Sequence, residues 1–362
     1  MGKNVQLLDE NLRDAPLRDG LLFRDVRTTA ARVYGLVEGT YERIPEALRA
    51  NATEKLLTFA GHTSGGRVRF VTASKRLGLR MKVTDGQGLP HMAFSGCAGI
   101  DCYLGAGPAP QYAGTRWPPL GERLLESELA LPGEPVTVTL YLPLYDGVEL
   151  LELGVEPEAA LLPPEPYARE VPLVFYGSSI TQGGCAGRSS NSYAALVSRW
   201  LDSDFRCLGF SGSAKGEQWM ASYIASLPMS CFVYDYDHNA PSAEALRQTH
   251  RAFLETILAR QPDIPVVALS RPNPDLSGPD GERREVVRET CAWAAAQGAD
   301  IQFVDGAELL GEAGRECCTV DGIHPNDLGF WRMARAVYPY VRAALERHGE
   351  GSTILGEEGT RR

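Results

Sequence analysis

Between residues 33 and 156 apolar and polar positions alternate in short runs: RVYGLV, KLLTFAG, RVRFVTAS, LGLRMKV, HMAFSG, IDCYLGA, VTVTLYLP and VELLELGV. A period of two sends successive side chains to opposite faces of a strand, so these runs predict half-buried β-strands. Gly, Pro and Asp fill the breaks, as in HTSGG, DGQGLP and LYDGV, and supply the turn conformations that joined strands need. Many short strands spaced by such turns predict an all-β sandwich or jelly roll. Residues 157–170, with LLPPEPYARE, are rich in proline and acid. Proline withholds the N–H that a central strand must donate, so this stretch reads as a connector.

Beyond residue 171 the period changes. The apolar runs PLVFYG, FRCLGF, CFVYDY, IPVVALS and ADIQFV alternate with SYAALVSRWL, residues 216–226, AEALRQTHRAFLETILARQ and REVVRETCAWAAAQG, whose apolar positions recur every three or four residues. Continuous apolar runs suit strands buried on both faces, and helices between them predict an α/β domain with a parallel sheet between helical layers. A last helix over 326–347 closes it. The chain thus divides into a sandwich over 1–160 and an α/β domain over 161–362, and the charged, glycine-rich tail over 349–362 is expected to be poorly ordered. In open sheets of this kind, sites form where the carboxyl ends of the strands meet the following loops.

Composition narrows the partners. A length of 362 residues exceeds what one core of ordinary size requires. The formal net charge of -10 repels phosphate backbones and anionic headgroups, so neither nucleic acid nor a membrane surface is expected as a partner. No apolar stretch reaches the roughly 18 residues of a membrane span, and the opening MGKNVQLLDENLRD lacks the apolar segment of a secretory leader. A cytoplasmic location is therefore expected. The cysteines, at 97, 102, 185, 207, 231, 291, 317 and 318, show no repeated spacing and are expected to be reduced thiols, with Cys317 and Cys318 structural. Trp219, Trp293 and Trp331 fall in helical stretches and are expected in the core. Composition leaves room for a homo-oligomer.

Four short segments carry chemistry, each at a predicted strand or helix boundary. In VFYGSSITQGG, Gly177 permits a tight exit from a strand and Ser179 falls on the turn toward a helix, where unpaired N–H groups favour developing negative charge. It is not a phosphate-binding loop, since no Gly-Lys-Ser/Thr follows. DGIHP, before the last helix, sets Asp321 and His324 three residues apart. A hydroxyl is a weak nucleophile and needs a base within hydrogen-bond reach and a group to orient that base; this pair supplies both. Gly212 in GFSGS and Asn239 in DYDHNAP follow the next two strands and offer an N–H and a side-chain amide to a tetrahedral oxyanion, beside the N–H of Ser179. Taken singly, each of these residues is more often a cap or a turn residue. Their order along the chain joins them into one constellation.

The four blocks, GSSIT, GFSG, DHNA and DGIHP, resemble those of the SGNH (GDSL-type) hydrolases. GIDCYL, residues 99–104, resembles the GxDLY motif of the β-sandwich module that precedes this domain in one branch. Ser178 stands where many relatives have the aspartate of GDS, and Cys102 replaces the leucine of GxDLY. The resemblance implies a flavodoxin-like three-layer α/β/α domain behind a jelly-roll sandwich. It also implies a Ser179, His324 and Asp321 triad, and an oxyanion hole from Ser179, Gly212 and Asn239. No cofactor and no metal are implied. The expected function is a serine esterase acting on a small ester, with acetyl groups on carbohydrate preferred by analogy.

The same residues admit other readings. Asp235, Asp237 and His238 with Asp321 and His324 form a conceivable hard-metal set, but that leaves the serine unexplained. Gln182, Arg188 and Trp117 are candidate substrate contacts, and Asn191 reads as the cap of SYAALVSRWL. An acyltransferase would use the same triad with an acceptor alcohol or amine, and a carbohydrate-binding protein would keep the sandwich beside a vestigial hydrolase.

Overall fold

The structure is a computed structural model and describes residues 17–273 and 277–348. The tail expected to be poorly ordered lies outside the described residues. The N-terminal half holds β1 (Leu22–Asp25), β2 (Arg32–Tyr34), α1 (Glu54–Ala60), β3 (Arg67–Thr72), β4 (Arg76–Val83), α2 (Phe94–Cys97), β5 (Ile100–Leu104), β6 (Gln111–Arg116), β7 (Leu124–Ala130), β8 (Val136–Tyr141) and β9 (Val148–Val155). Two antiparallel sheets form, in the orders β1-β9-β4-β7 and β2-β3-β8-β5-β6. Every second residue of β4, Leu77, Leu79, Met81 and Val83, enters one core with Val68 and Phe70 of β3, Ile100 and Cys102 of β5, and Val138 and Leu140 of β8. That alternation made these central strands readable.

Two predicted strands are helices. KLLTFAG forms α1, capped by Thr53, whose hydroxyl accepts the Leu56 N–H. Its buried residues Leu56 and Ala60 are four apart and dock on the core of the C-terminal half. HMAFSG breaks into a turn and the short α2. Three strands, β1, β6 and β7, lie outside the alternating runs, and each is at the edge of its sheet. An edge strand pairs on one side only and tolerates polar residues and glycine, so QYAGTR carries a weak strand pattern.

The C-terminal half holds β10 (Arg169–Gly177), α3 (Ser179–Gln182), α4 (Tyr193–Trp200), β11 (Ser203–Gly209), α5 (Gln218–Ser226), β12 (Cys231–Asp235), α6 (Ala243–Arg260), β13 (Val266–Leu269), α7 (Gly278–Ala296), β14 (Ile301–Val304) and α8 (Asp327–His348). The strands are parallel in the order β11-β10-β12-β13-β14. Numbered within the sheet this order is 2-1-3-4-5, the flavodoxin-like arrangement. Leu173 and Phe175 of β10 join the core shared with α4 and α8, whereas Val174 and Tyr176 join that shared with α5, α6 and α7. Trp219 and Trp293 pack partly buried against this second core. Trp331 does not: it is 45% exposed on α8. All eight cysteines are free, and Cys317 alone among them is exposed. Among the described residues no helix is long and apolar enough to cross a membrane.

The two halves are joined by more than their connector. β11 is an edge strand, and its outward carbonyls are taken by buried guanidinium groups from the N-terminal half. Arg43 donates to Gly209 O at 2.6 Å and Cys207 O at 3.2 Å, and Arg67 donates to Phe205 O at 3.1 Å while pairing with Asp204. Gly65 sits so close to β11 that a Cβ there would lie 2.6 Å from the Cys207 Cβ. Tyr103, Tyr141, Leu144 and Tyr145 of the N-terminal half lie in the same core as α4 and α8. The connector itself is pinned to β3 through reciprocal bonds between Val71 and Leu162.

Candidate active site

β10 ends at Gly177, and the chain turns at once into the one-turn helix α3 with Ser179 as its first residue. A Cβ at Gly177 would collide with the Asp235 carboxylate and the Thr181 hydroxyl, so only glycine fits this exit. Ser178, where the GDS aspartate was missing, caps the turn by accepting the Ile180 N–H at 3.2 Å. Ser179 is 4% exposed, with its hydroxyl at the carboxyl edge of the sheet.

His324 approaches from the turn before α8. The three-residue spacing to Asp321 is closed by an Asp-capped turn: Asp321 Oδ1 accepts the N–H groups of Ile323 at 3.0 Å and His324 at 2.8 Å. Its Oδ2 lies 2.7 Å from His324 Nδ1. His324 Nε2 lies 2.9 Å from Ser179 Oγ. With Nδ1–H donated to the carboxylate, Nε2 offers its lone pair to the serine hydroxyl. Partial burial pushes the Asp321 carboxyl upward, but the His324 backbone N–H, the His324 ring and the Ile323 N–H outweigh it and hold it down at about 2.

The loops after β10, β11 and β12 are stitched together. Phe210 N–H donates to Gly177 O at 2.9 Å, and Phe210 O accepts one N–H of the Asn239 amide at 3.0 Å. An amide carries two such hydrogens, so this bond aims the second one. Gly212 has φ +60, and a Cβ there would lie 2.7 Å from Lys55 Nζ, so α1 of the N-terminal half sets an exposed ammonium over the glycine.

Several expected contacts are placed otherwise. Gln182 is fully buried: its amide nitrogen donates to Leu144 O at 3.1 Å and lies 3.3 Å from His62 Nδ1, and its oxygen accepts the Ser211 N–H at 3.0 Å. It braces the second loop and is inaccessible to substrate. The Arg188 guanidinium lies 4.0 Å over the Tyr112 ring and donates to Asn191 Oδ1 at 3.1 Å. Asn191 is not the cap of α4; Ser192 is, accepting the Ala195 N–H at 3.4 Å. Trp117 lies half-buried just past β6.

The conceivable hard-metal set does not form, because its acids are used inside the protein. Asp235 accepts from the Thr181 hydroxyl and, at 2.9 Å, from the Tyr193 hydroxyl, while Asp237 accepts the Arg271 N–H at 3.0 Å. Burial is the largest influence on Asp235 and, helped by the charge of Asp237, pushes its carboxyl up to about 8 against the Thr181 and Tyr193 hydrogen bonds. Burial, then the charges of Arg271 and His324, lower His238 to about 4.

Asp235 makes the stability of the fold depend on pH. Its folded-state value is raised, so between about pH 4, its usual unfolded value, and about pH 8 the folded form keeps a proton that the unfolded form has released. Its contribution to stability is therefore complete below that window and is lost as pH climbs through it, by at most about 1.4 kcal/mol per pH unit. Asp235→Asn imitates the protonated acid and cannot titrate. Denaturant midpoints measured from pH 5 to 8 should decline less steeply in the variant than in wild type, and parallel profiles would contradict the assignment.

The sandwich contributes residues that the sequence did not mark for the site. Asp101, the acid of GIDCYL, is buried and accepts the Ser190 N–H at 2.7 Å and the Thr115 hydroxyl at 2.6 Å, bolting the segment after α3 to β5. Ser95 donates to Gly187 O at 2.7 Å in the same segment. Tyr145 donates to Ser179 O at 3.2 Å. His91 brings its ring centroid to 5.8 Å from that of His324, and Cys185 directs its thiol to His91 O at 3.5 Å. His91, Cys185 and His324 each offer a ligand atom, all within 4.8 Å of one another. Strand and helix periods cannot bring a loop of one half over the site of the other, so no sequence signal pointed to His91.

Comparison with known proteins identifies the two parts of the chain. Residues 170–342 match the GDSL-like Lipase/Acylhydrolase family, and residues 23–161 match the GxDLY family, the N-terminus of Esterase SGNH hydro-type. The chain carries a GDSL-like lipase/acylhydrolase (SGNH) domain with a GxDLY module ahead of it. A protein from Bacteroides ovatus ATCC 8483 described as a GDSL-like lipase superposes with a TM-score of 0.81 at 28% identity, covering 90% of this chain and 98% of its own. The salicylyl-acyltransferase SsfX3 of a tetracycline biosynthetic pathway gives 0.73 at 20% identity, with 90% and 98% covered. A family two carbohydrate esterase from Cellvibrio japonicus gives 0.59 at 14%, with 91% and 99% covered. These last two share the fold. No curated protein sequence matches the chain.

Proposed function

We propose that this protein is a serine carboxyl-ester hydrolase that removes small acyl groups, acetyl above all, from a carbohydrate alcohol. The observation that carries the reading is the continuous relay from Ser179 Oγ to His324 Nε2 at 2.9 Å and from His324 Nδ1 to Asp321 Oδ2 at 2.7 Å. Ser179 Oγ attacks the acyl carbon while its proton passes to Nε2, and Asp321 stabilises the imidazolium that forms. The oxyanion is received by the N–H groups of Ser179 and Gly212 and by the second hydrogen of the Asn239 amide. His324 returns its proton to the leaving alcohol, then takes one from water, whose oxygen attacks the acyl-enzyme; as the ester bond breaks, that proton passes to Ser179 Oγ and the acid is released. The carbohydrate part of the proposal draws on the carbohydrate esterase that shares the two-part fold.

The test is a panel of nitrophenyl esters from acetate to octanoate beside acetylated sugars, each run with and without an added alcohol acceptor. Turnover should fall steeply beyond acetate, with free acid as the main product. Preference for long chains would overturn the acyl assignment, and dominant transfer to the acceptor would make the protein an acyltransferase. Asn239→Ala should lower kcat by about two to three orders of magnitude. A loss below threefold would return Asn239 to a loop role.

A further inference from the structure

We propose that His91, Cys185 and His324 form a binding site for a borderline-soft divalent cation such as Zn2+, and that its occupancy switches the esterase off. The three residues come from three separate segments: the loop before α2, the segment after α3 and the turn before α8. Their ligand atoms nonetheless lie within 4.8 Å of one another. A cation with bonds of about 2.0–2.3 Å to nitrogen and sulfur holds tetrahedral ligands about 3.3–3.8 Å apart, so the three must draw together by about 1 Å. The exposed His91 side chain has the freedom to close the gap.

The donor set defines the ion. Two imidazoles and a thiolate favour Zn2+, Co2+ or Cu2+ and disfavour Mg2+ and Ca2+, which require oxygen. Three protein ligands leave the fourth tetrahedral position to water. A supporting carboxylate is already placed: Asp321 occupies His324 Nδ1 at 2.7 Å, which leaves Nε2 as the ring nitrogen open to a cation. Cys185 is held at φ +73, a conformation that side-chain-bearing residues seldom adopt, and its thiol points at the His91 backbone. Binding converts the thiol to a metal-bound thiolate and releases its proton to solvent, with no change of oxidation state.

The regulatory consequence rests on the proposed role of His324 as the base. Nε2 is the nitrogen that faces Ser179 Oγ, so a metal on it removes the lone pair that would take the serine proton. Neither His91 nor Cys185 has a part in the acyl-transfer steps. The site is therefore separable from turnover by mutation.

The experiment uses the full chain and two independent readouts. Titration with Co2+ should give a near-ultraviolet thiolate-to-cobalt absorption that saturates at one equivalent, present in Ser179→Ala and absent in Cys185→Ser. In parallel, Zn2+ should inhibit hydrolysis of nitrophenyl acetate, with recovery on adding EDTA. In Cys185→Ser, uninhibited turnover should stay within about twofold of wild type, and in both Cys185→Ser and His91→Ala the half-inhibiting Zn2+ concentration should rise about tenfold or more. Absence of the absorption in wild type would overturn the site. Inhibition of Cys185→Ser at the wild-type Zn2+ concentration would overturn it too. Cobalt binding without loss of turnover would overturn the switch alone, and an inactive wild type would count against the esterase reading while the absorption still reports the site.

Discussion

Ser179→Ala is expected to lower turnover of an acetyl ester by about four to six orders of magnitude while the protein stays folded. The hydroxyl is the one atom on the relay that forms a covalent bond in the proposed reaction, and no other hydroxyl stands 2.9 Å from His324 Nε2 among the described residues. The exchange removes a single oxygen at a position whose backbone is fixed by the Ser178 cap and by Tyr145, so the fold should tolerate it. Residual activity, from the oxyanion donors and binding alone, should match that of a variant lacking both Ser179 and His324, because parts of one relay do not add. The check is single-turnover and steady-state kinetics beside a circular dichroism spectrum and an unfolding curve. Wild-type turnover in a folded Ser179→Ala protein would end the serine mechanism.

Asp321→Asn should cost about four orders of magnitude in kcat. The carboxylate accepts from His324 Nδ1 and so keeps the lone pair on Nε2; an amide turned to donate to Nδ1 would reverse the tautomer and leave Nε2–H facing the serine. The side-chain oxygen of asparagine can still accept the Ile323 and His324 N–H groups, so the turn should survive. Because Asp321 is held down at about 2, it stays ionised across the working range. Its lowered value contributes stability that is present above about pH 4 and lost as pH falls through about 2, so an acid limb of activity near neutrality does not report this residue. Kinetics as a function of pH for wild type and Asp321→Asn, with tenfold loss or less as the contrary outcome, decides the role.

Much of this arrangement was legible because it follows from short-range rules. β4 carries its own alternation and β10 its unbroken apolar run, and the blocks holding Ser179, Gly212, Asn239 and His324 fall at the strand or helix boundaries that these patterns locate. What escaped was set by tertiary context. KLLTFAG is apolar enough for a strand, and only its docking on the C-terminal core selects the helix. Edge strands lacked a partner's demand for alternation. Gln182 looked like a contact because it follows the nucleophile by three residues, but α3 is a single turn that carries it into the interior. His91 and Lys55 reach the site from the other half, across a distance in sequence that no local pattern spans.

The guanidinium groups that occupy the rim of β11 bear on how the chain can be divided. Cutting it near residue 160 would strip Arg43 and Arg67 from three carbonyls and bare the aromatic surface against α4, leaving the remaining sheet open to augmentation by any passing strand. Heat should accordingly melt the whole molecule in one transition, and the hydrolase portion produced alone should self-associate. The module is therefore less an appendage than a missing wall, and insertions or fusions will be better tolerated at the outer edge, β14, than at the seam between the halves.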